Sequence, residues 1–113
     1  ISGNESGWRA GTPGTQQIRL IFSPPHKVTR IHLLFEEKSV ARTQEYVLQW
    51  APERGQVCRE IVRQQWNFSP SGATVEIEDH WVDLPSVAVL ELIIDPGCDS
   101  QAVFASMKRM RIG

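Results

Sequence analysis

Along most of this chain apolar and polar residues alternate with a period of two. In QQIRLIF (16–22), Ile18, Leu20 and Phe22 share one face while Arg19 and Ile21 take the other. In KVTRIHLLFEE (27–37), Ile31, Leu33 and Phe35 stand together, with Arg30, His32 and Glu36 opposite. TQEYVLQW (43–50) sets Tyr46, Leu48 and Trp50 against Glu45, Val47 and Gln49. TVEIED (74–79) is read with Val75 and Ile77 inward and Glu76 and Glu78 outward. Such alternation predicts half-buried antiparallel strands. VAVLELII (87–94) is nearly continuous apolar, the pattern of a strand covered on both faces. At the end, SMKRMRI alternates Met107, Arg109 and Arg111 against Lys108, Met110 and Ile112.

Turn chemistry separates these runs. The two prolines of SPPHK (23–27) remove ladder donors and argue against strand interior. APERGQ (51–56) carries the glycine a hairpin loop needs, and SPSGA (69–73) and DPGCDSQA (95–102) interrupt the chain in the same way. His80 and Trp81 are read on a turn. Seven or so short strands at this spacing, with no convincing helical window, predict an all-β fold, a β-sandwich or jelly roll.

Composition narrows the class. With 113 residues the chain makes one domain, and 41% apolar residues is an ordinary globular content. No apolar run approaches the roughly 20 residues that span a bilayer, and the opening ISGNESGW has no basic and apolar leader. Twelve basic residues against 13 acidic ones give a net charge of −1, whereas a protein held by phosphates carries a positive excess, so nucleic acid is not the expected partner. Cys58 and Cys98 are too few for a disulfide framework or a zinc site, and leave either idle thiols or one bridge.

Four stretches, in order, resemble discoidin (coagulation factor 5/8 type C) domains: ESGWRAGTPGTQQIRLIF, with a Trp-containing loop leading into a strand; KVTRIHLLF, like their second strand; RTQEYVLQWAPERGQVCREIV, like their central hairpin; and VAVLELIIDPGCDSQAVFASMKRMRI, like their closing pair. The similarity is one of strands and loops and covers nearly the whole chain. It implies a single galactose-binding-domain-like jelly roll over residues 1–113, a distorted barrel of about eight strands in two antiparallel sheets. Members are mostly non-catalytic modules that bind sugars, lipid head groups, proteins or, in a few cases, nucleic acid through loops at one end. Several hold a structural calcium. This chain departs from the family in a short loop before Trp8 and in having no Cys pair joining its ends.

Sugar recognition needs an aromatic ring for the apolar face of a pyranose and planar polar groups for its hydroxyls. RQQWNF (63–68) holds both, and Trp8 with Arg9 repeats the pair near the other end. The candidate cleft is Trp8, Arg9, Arg42, Arg63, Gln65, Trp66 and Asn67, with Glu36 and Glu37 on nearby loops. Strand alternation sets a competing expectation. Trp66 and Phe68 fall on one side and read as core, while Arg63, Gln65 and Asn67 fall on the other, where they are either solvated or in contact with a ligand.

Catalysis finds little support. His26, His32 and His80 have no nucleophile in a recognisable elbow beside them. Asp79 and His80 are adjacent and diverge on a strand, as do Glu36 and Glu37. Glu76, Glu78, Asp79 and His80 read as a solvated strand face in preference to a metal site. Asp95 and Asp99 flank a glycine-containing loop with oxygen ligands suited to calcium. The expected function is a non-catalytic binding module, for carbohydrate first and for another protein or an assembly second.

Overall fold

A computed structural model describes residues 8–9, 14–37, 41–97 and 106–113. The strands are β1 (Trp8–Arg9), β2 (Gln16–Glu36), β3 (Arg42–Ala51), β4 (Arg59–Phe68), β5 (Val75–Asp95), β6 (Ser106–Met107) and β7 (Arg109–Ile112). There is no helix among the described residues, and hence none long and apolar enough to cross a membrane. The all-β expectation holds. One five-stranded antiparallel sheet runs β4-β3-β5-β2-β7, and β1 pairs with β6 beside it.

Two of the strands are much longer than the turn signals suggest. β2 and β5 are 21 residues each, and each joins two runs that the sequence reads as separate. SPPHK lies inside β2 and not between strands. The pairing skips residues 22–25 and resumes at His26 opposite Val87, with register shifts on to Arg30 opposite Trp81. Pro24 and Pro25 have no N–H to give, so the chain stays extended while the ladder lapses. Unequal residue numbers on the two strands then bend the ribbon, as bulges do.

That bend doubles the sheet over. β3 and β5 lie between β4 and β2, so a flat sheet at about 4.8 Å per strand would hold β4 and β2 roughly 14 Å apart. Instead the Phe35 ring on β2 stands 5.1 Å from that of Trp66 on β4. Two layers therefore face each other. One contains β4, β3, Val89–Asp95 of β5 and Gln16–Ile21 of β2; the other contains Val75–Trp81 of β5, Arg30–Glu36 of β2, and β7. Between them lie Ile31, Leu33, Phe35, Tyr46, Leu48, Leu90, Leu92, Ile94, Met110 and Ile112, all buried. Ile18 and Leu20 pack against this core from the first layer, as their alternation requires.

Two assignments of face are reversed. Val75 and Ile77 are 45% and 60% exposed, while Glu76 and Glu78 turn toward the interior. The ladder explains it: Phe35 faces Glu76 and Leu33 faces Glu78, and residues directly opposite share a side of the sheet. Met107 is also buried with Met110 and Ile112, because the bend at Lys108 between β6 and β7 breaks the expected alternation.

Trp66 makes ring contacts with Phe35, Tyr46 and Phe68 at 5.1–5.7 Å, spanning the two layers. Its replacement by Ala is expected to cost about 3–5 kcal/mol in urea unfolding. Arg63→Ala, on the outer surface, is expected to cost less than about 1 kcal/mol. Equal losses would contradict the assignment of faces.

Candidate functional site

The residues singled out from the sequence divide between two faces. Trp66 points into the core and Arg42 lies almost wholly inside, its side chain 4% exposed. The Arg42 guanidinium donates to Glu37 Oε1 (2.9 Å), to Gln44 Oε1 (2.6 Å) and to the Pro96 carbonyl (2.7 Å), and lies over the Phe68 ring. It pins the end of β5 to the start of β3. Gly97 makes this approach feasible: at φ +123° an L side chain is strained, and a Cβ there would stand 3.2 Å from the Thr43 carbonyl oxygen.

Arg63, Gln65 and Asn67 occupy the opposite, outer face. Arg63 is held by Glu45 (2.7 Å) and Glu60 (3.1 Å), and Asn67 accepts from the Thr43 hydroxyl at 2.5 Å. Gln65 is exposed opposite Glu45. These three are thus not brought together with Arg42 and Trp66 in one cleft. The side chains of Trp8 and Arg9 lie outside the described residues, as do Cys98 and Asp99. Asp95 accepts from the Gly97 amide at 3.1 Å.

Three polar groupings that the sequence reading did not assemble do form. The first lies on the outer face of the first layer. Glu91 is buried there and accepts from the Cys58 thiol (2.9 Å), the Gln49 amide (3.0 Å) and the Gln17 amide. The thiol hydrogen bond, followed by those of the amides and the charge of Arg19, holds the Glu91 carboxyl below its usual range against the opposing effect of burial. In return, burial and then Glu91 push the Cys58 thiol up to about 11, so it is protonated and weakly nucleophilic at neutral pH.

The second faces inward. The Tyr46 hydroxyl lies 3.1 Å from Glu78 Oε1 and 2.5 Å from His80 Nε2. Burial, then the charge of Glu78, raises the Tyr46 phenol far above its ordinary value, so it stays protonated. Glu76 shares a hydrogen bond with Glu78, and that bond, with burial and the neighbouring negative charge, raises its carboxyl to about 7. Two carboxylates this close retain one proton between them more readily than none.

The third is on the outer face of the second layer and has the chemistry of a recognition surface. Trp81 lies mid-strand in β5, not on a turn, and is 72% exposed. Opposite it on β2, Arg30 sets its guanidinium 4.8 Å from the indole centroid and grips Asp79 with Nε (2.8 Å) and Nη2 (2.7 Å). This fork-to-fork contact fixes the plane of the guanidinium beside the ring. The Arg30 hydrogen bond, aided by its charge, lowers the Asp79 pKa, so Asp79 is an ionised acceptor at neutral pH and not a proton donor. His32 stands 3.8 Å from the same carboxylate. One signal for this face was available: Trp81 shares strand parity with Asp79 and Asp83, which would have placed it on the charged side.

Comparison with protein-family models and with curated proteins gives no match to this chain.

Glu76 sets a pH dependence. Its folded pKa lies above the unfolded value near 4.5, so the folded state binds the extra proton. The stability this proton supplies is full below the unfolded value and is lost as pH rises through about 7. Asp79 and Glu91, held low, act in a separate window below about pH 4. The melting temperature is therefore expected to fall from about pH 5 to about pH 8 more steeply in the native chain than in Glu76→Gln, where the proton is replaced by a permanent neutral group. Identical slopes would remove Glu76 as the cause.

Proposed function

We propose that this chain is a non-catalytic binding module that takes carbohydrate on the outer face of its second layer, with Trp81 as the stacking platform. The observation that carries this is the 72% exposure of a tryptophan whose neighbours are a guanidinium and a carboxylate locked in one plane. An indole left in water costs free energy that burial against a partner recovers. A pyranose offers such a partner, with an apolar C–H face for the ring and hydroxyls for the Arg30–Asp79 pair. A jelly roll of the discoidin kind stays part of this proposal; what stands beside it is an all-β antiparallel sheet folded on itself. The surface proposed here is a sheet face, whereas the resemblance implied loops at the barrel end.

A second reading has its own support. Val75 and Ile77 continue the line of Trp81 along β5, both exposed. Three exposed apolar side chains on one side of a strand, interrupted by Asp79, are also the footprint of a protein partner.

Calorimetric titration against a panel of oligosaccharides separates the two. Carbohydrate binding is expected in the native chain, and Trp81→Ala is expected to weaken it by about tenfold or more. Arg63→Ala, on the other layer's outer face, is expected to leave it unchanged. The melting temperature of Trp81→Ala should stay close to native, because so exposed a ring contributes little to the core. Retained affinity in Trp81→Ala would overturn the platform. Absence of any glycan binding, with capture of a protein lost in Ile77→Asp, would establish the second reading.

A further inference from the structure

We propose that His32 is a positioning residue for the Trp81 surface, which holds carbohydrate while the imidazole is neutral and releases it when the imidazole gains a proton. The inference rests on the carbohydrate reading above and supplies its regulation. It starts from one carboxylate oxygen. Asp79 Oδ1 accepts from Arg30 Nε at 2.8 Å, and His32 Nδ1 stands 3.8 Å from that same oxygen. His32 is directly opposite Asp79 in the ladder, so the two side chains share the outer side of the layer with Arg30 and Trp81. Nδ1 is buried and has no hydrogen-bond partner.

A buried polar atom without a partner calls for a reason. At 3.8 Å the contact with Asp79 is too long for a hydrogen bond. A neutral imidazole with its proton on Nε2 accounts for the spacing. Nδ1 then turns a lone pair toward an ionised oxygen, and neither atom has a hydrogen to share. Protonation puts a hydrogen on both ring nitrogens. The same approach becomes attractive, and closing it by roughly 1 Å makes a charge-assisted hydrogen bond.

That bond acts through what it takes from the ligand. An ionised carboxylate offers about four lone pairs. Arg30 occupies one on each oxygen, through Nε and Nη2, which leaves one on each for sugar hydroxyls beside the indole. The charged His32 fills the remaining position on Oδ1. It also draws the carboxylate away from the fork that sets the Arg30 guanidinium by the ring. Asp79 keeps its own charge throughout, because Arg30 holds its carboxyl below the usual range.

Other charged groups surround the imidazole. Arg111 is directly opposite it on β7, Arg30 lies two residues before it on β2, and Arg109 and Glu36 lie further along the same side. Arginines stay charged at every pH in question and form a constant background. His80, beside Asp79 on β5, also acts on that carboxylate through its charge, but its ring is turned inward onto Tyr46. Glu76 takes up its proton on the inward side as well. Among the described residues, His32 is therefore the group facing Asp79 from its own side that changes charge between about pH 5 and pH 8.

The test is calorimetric titration with neutral gluco- and galacto-oligosaccharides, which carry no titrating group of their own, at pH 8 and at pH 5.5. Affinity is expected to fall about five- to tenfold at the lower pH, the effect of one lost hydrogen bond. The fold gains stability toward acid through Glu76, so weaker binding there is not unfolding. His32→Gln and His32→Asn, both uncharged, are expected to bind equally at the two pH values with melting temperatures near native. Equal affinity of the native chain at both pH values, tighter binding at pH 5.5, or a pH dependence that survives in these variants would each overturn the role of His32 and leave the carbohydrate reading standing. No binding of any oligosaccharide at either pH would overturn both.

Discussion

Neither Pro24 nor Pro25 can donate a backbone hydrogen bond, so the ladder between β2 and β5 has to lapse where they stand. The strands rejoin with unequal residue counts, and the long ribbon turns a corner instead of running straight. The buried aromatic cluster follows from that corner, since it sets β2 and β4 face to face although two strands separate them in the sheet. So does the division of side chains into an interior and two outer faces. Three separate polar groupings occupy those three surfaces because the corner created them.

The three groupings show one functional group tuned in different ways. Asp79 is exposed and kept ionised by a single bidentate arginine. Glu91 is buried yet remains ionised, because a thiol and amides replace the water it has lost. Glu76 has another carboxylate, Glu78, as its hydrogen-bonding neighbour and holds its proton to about 7. Burial alone does not order these outcomes. The identity of the hydrogen-bonding neighbour decides whether the charge survives.

Much of this was legible wherever the deciding pattern is local. Ile18 with Leu20, Ile31 with Leu33 and Phe35, and Tyr46 with Leu48 declared their faces through the two-residue period of an extended chain. The split of Trp66 and Phe68 from Arg63, Gln65 and Asn67 came from the same source. Failures arose where a distant strand decides. Val75 and Ile77 look like inward residues, but pairing with the buried Phe35 and Leu33 gives the interior to Glu76 and Glu78. Arg42 looks like a ligand contact, and nothing near it announces the Pro96 carbonyl 54 positions later. SPPHK reads as a break between strands because its prolines remove ladder donors, but the strand passes through it without pairing and continues.

Among the described residues, Val75–Trp81 has a hydrogen-bonded neighbour only on the β2 side, since β3 pairs with β5 no earlier than Val89. An unpaired strand of this length is a template on which a second copy could extend the sheet. Glu76, Glu78 and His80 sit along that border with their side chains turned inward. A copy added there would close over their acidic and polar groups and strip away what water they keep, a cost that straight hydrophobic alternation would not impose. The inverted faces of β5 therefore guard the molecule against growing into a filament of itself.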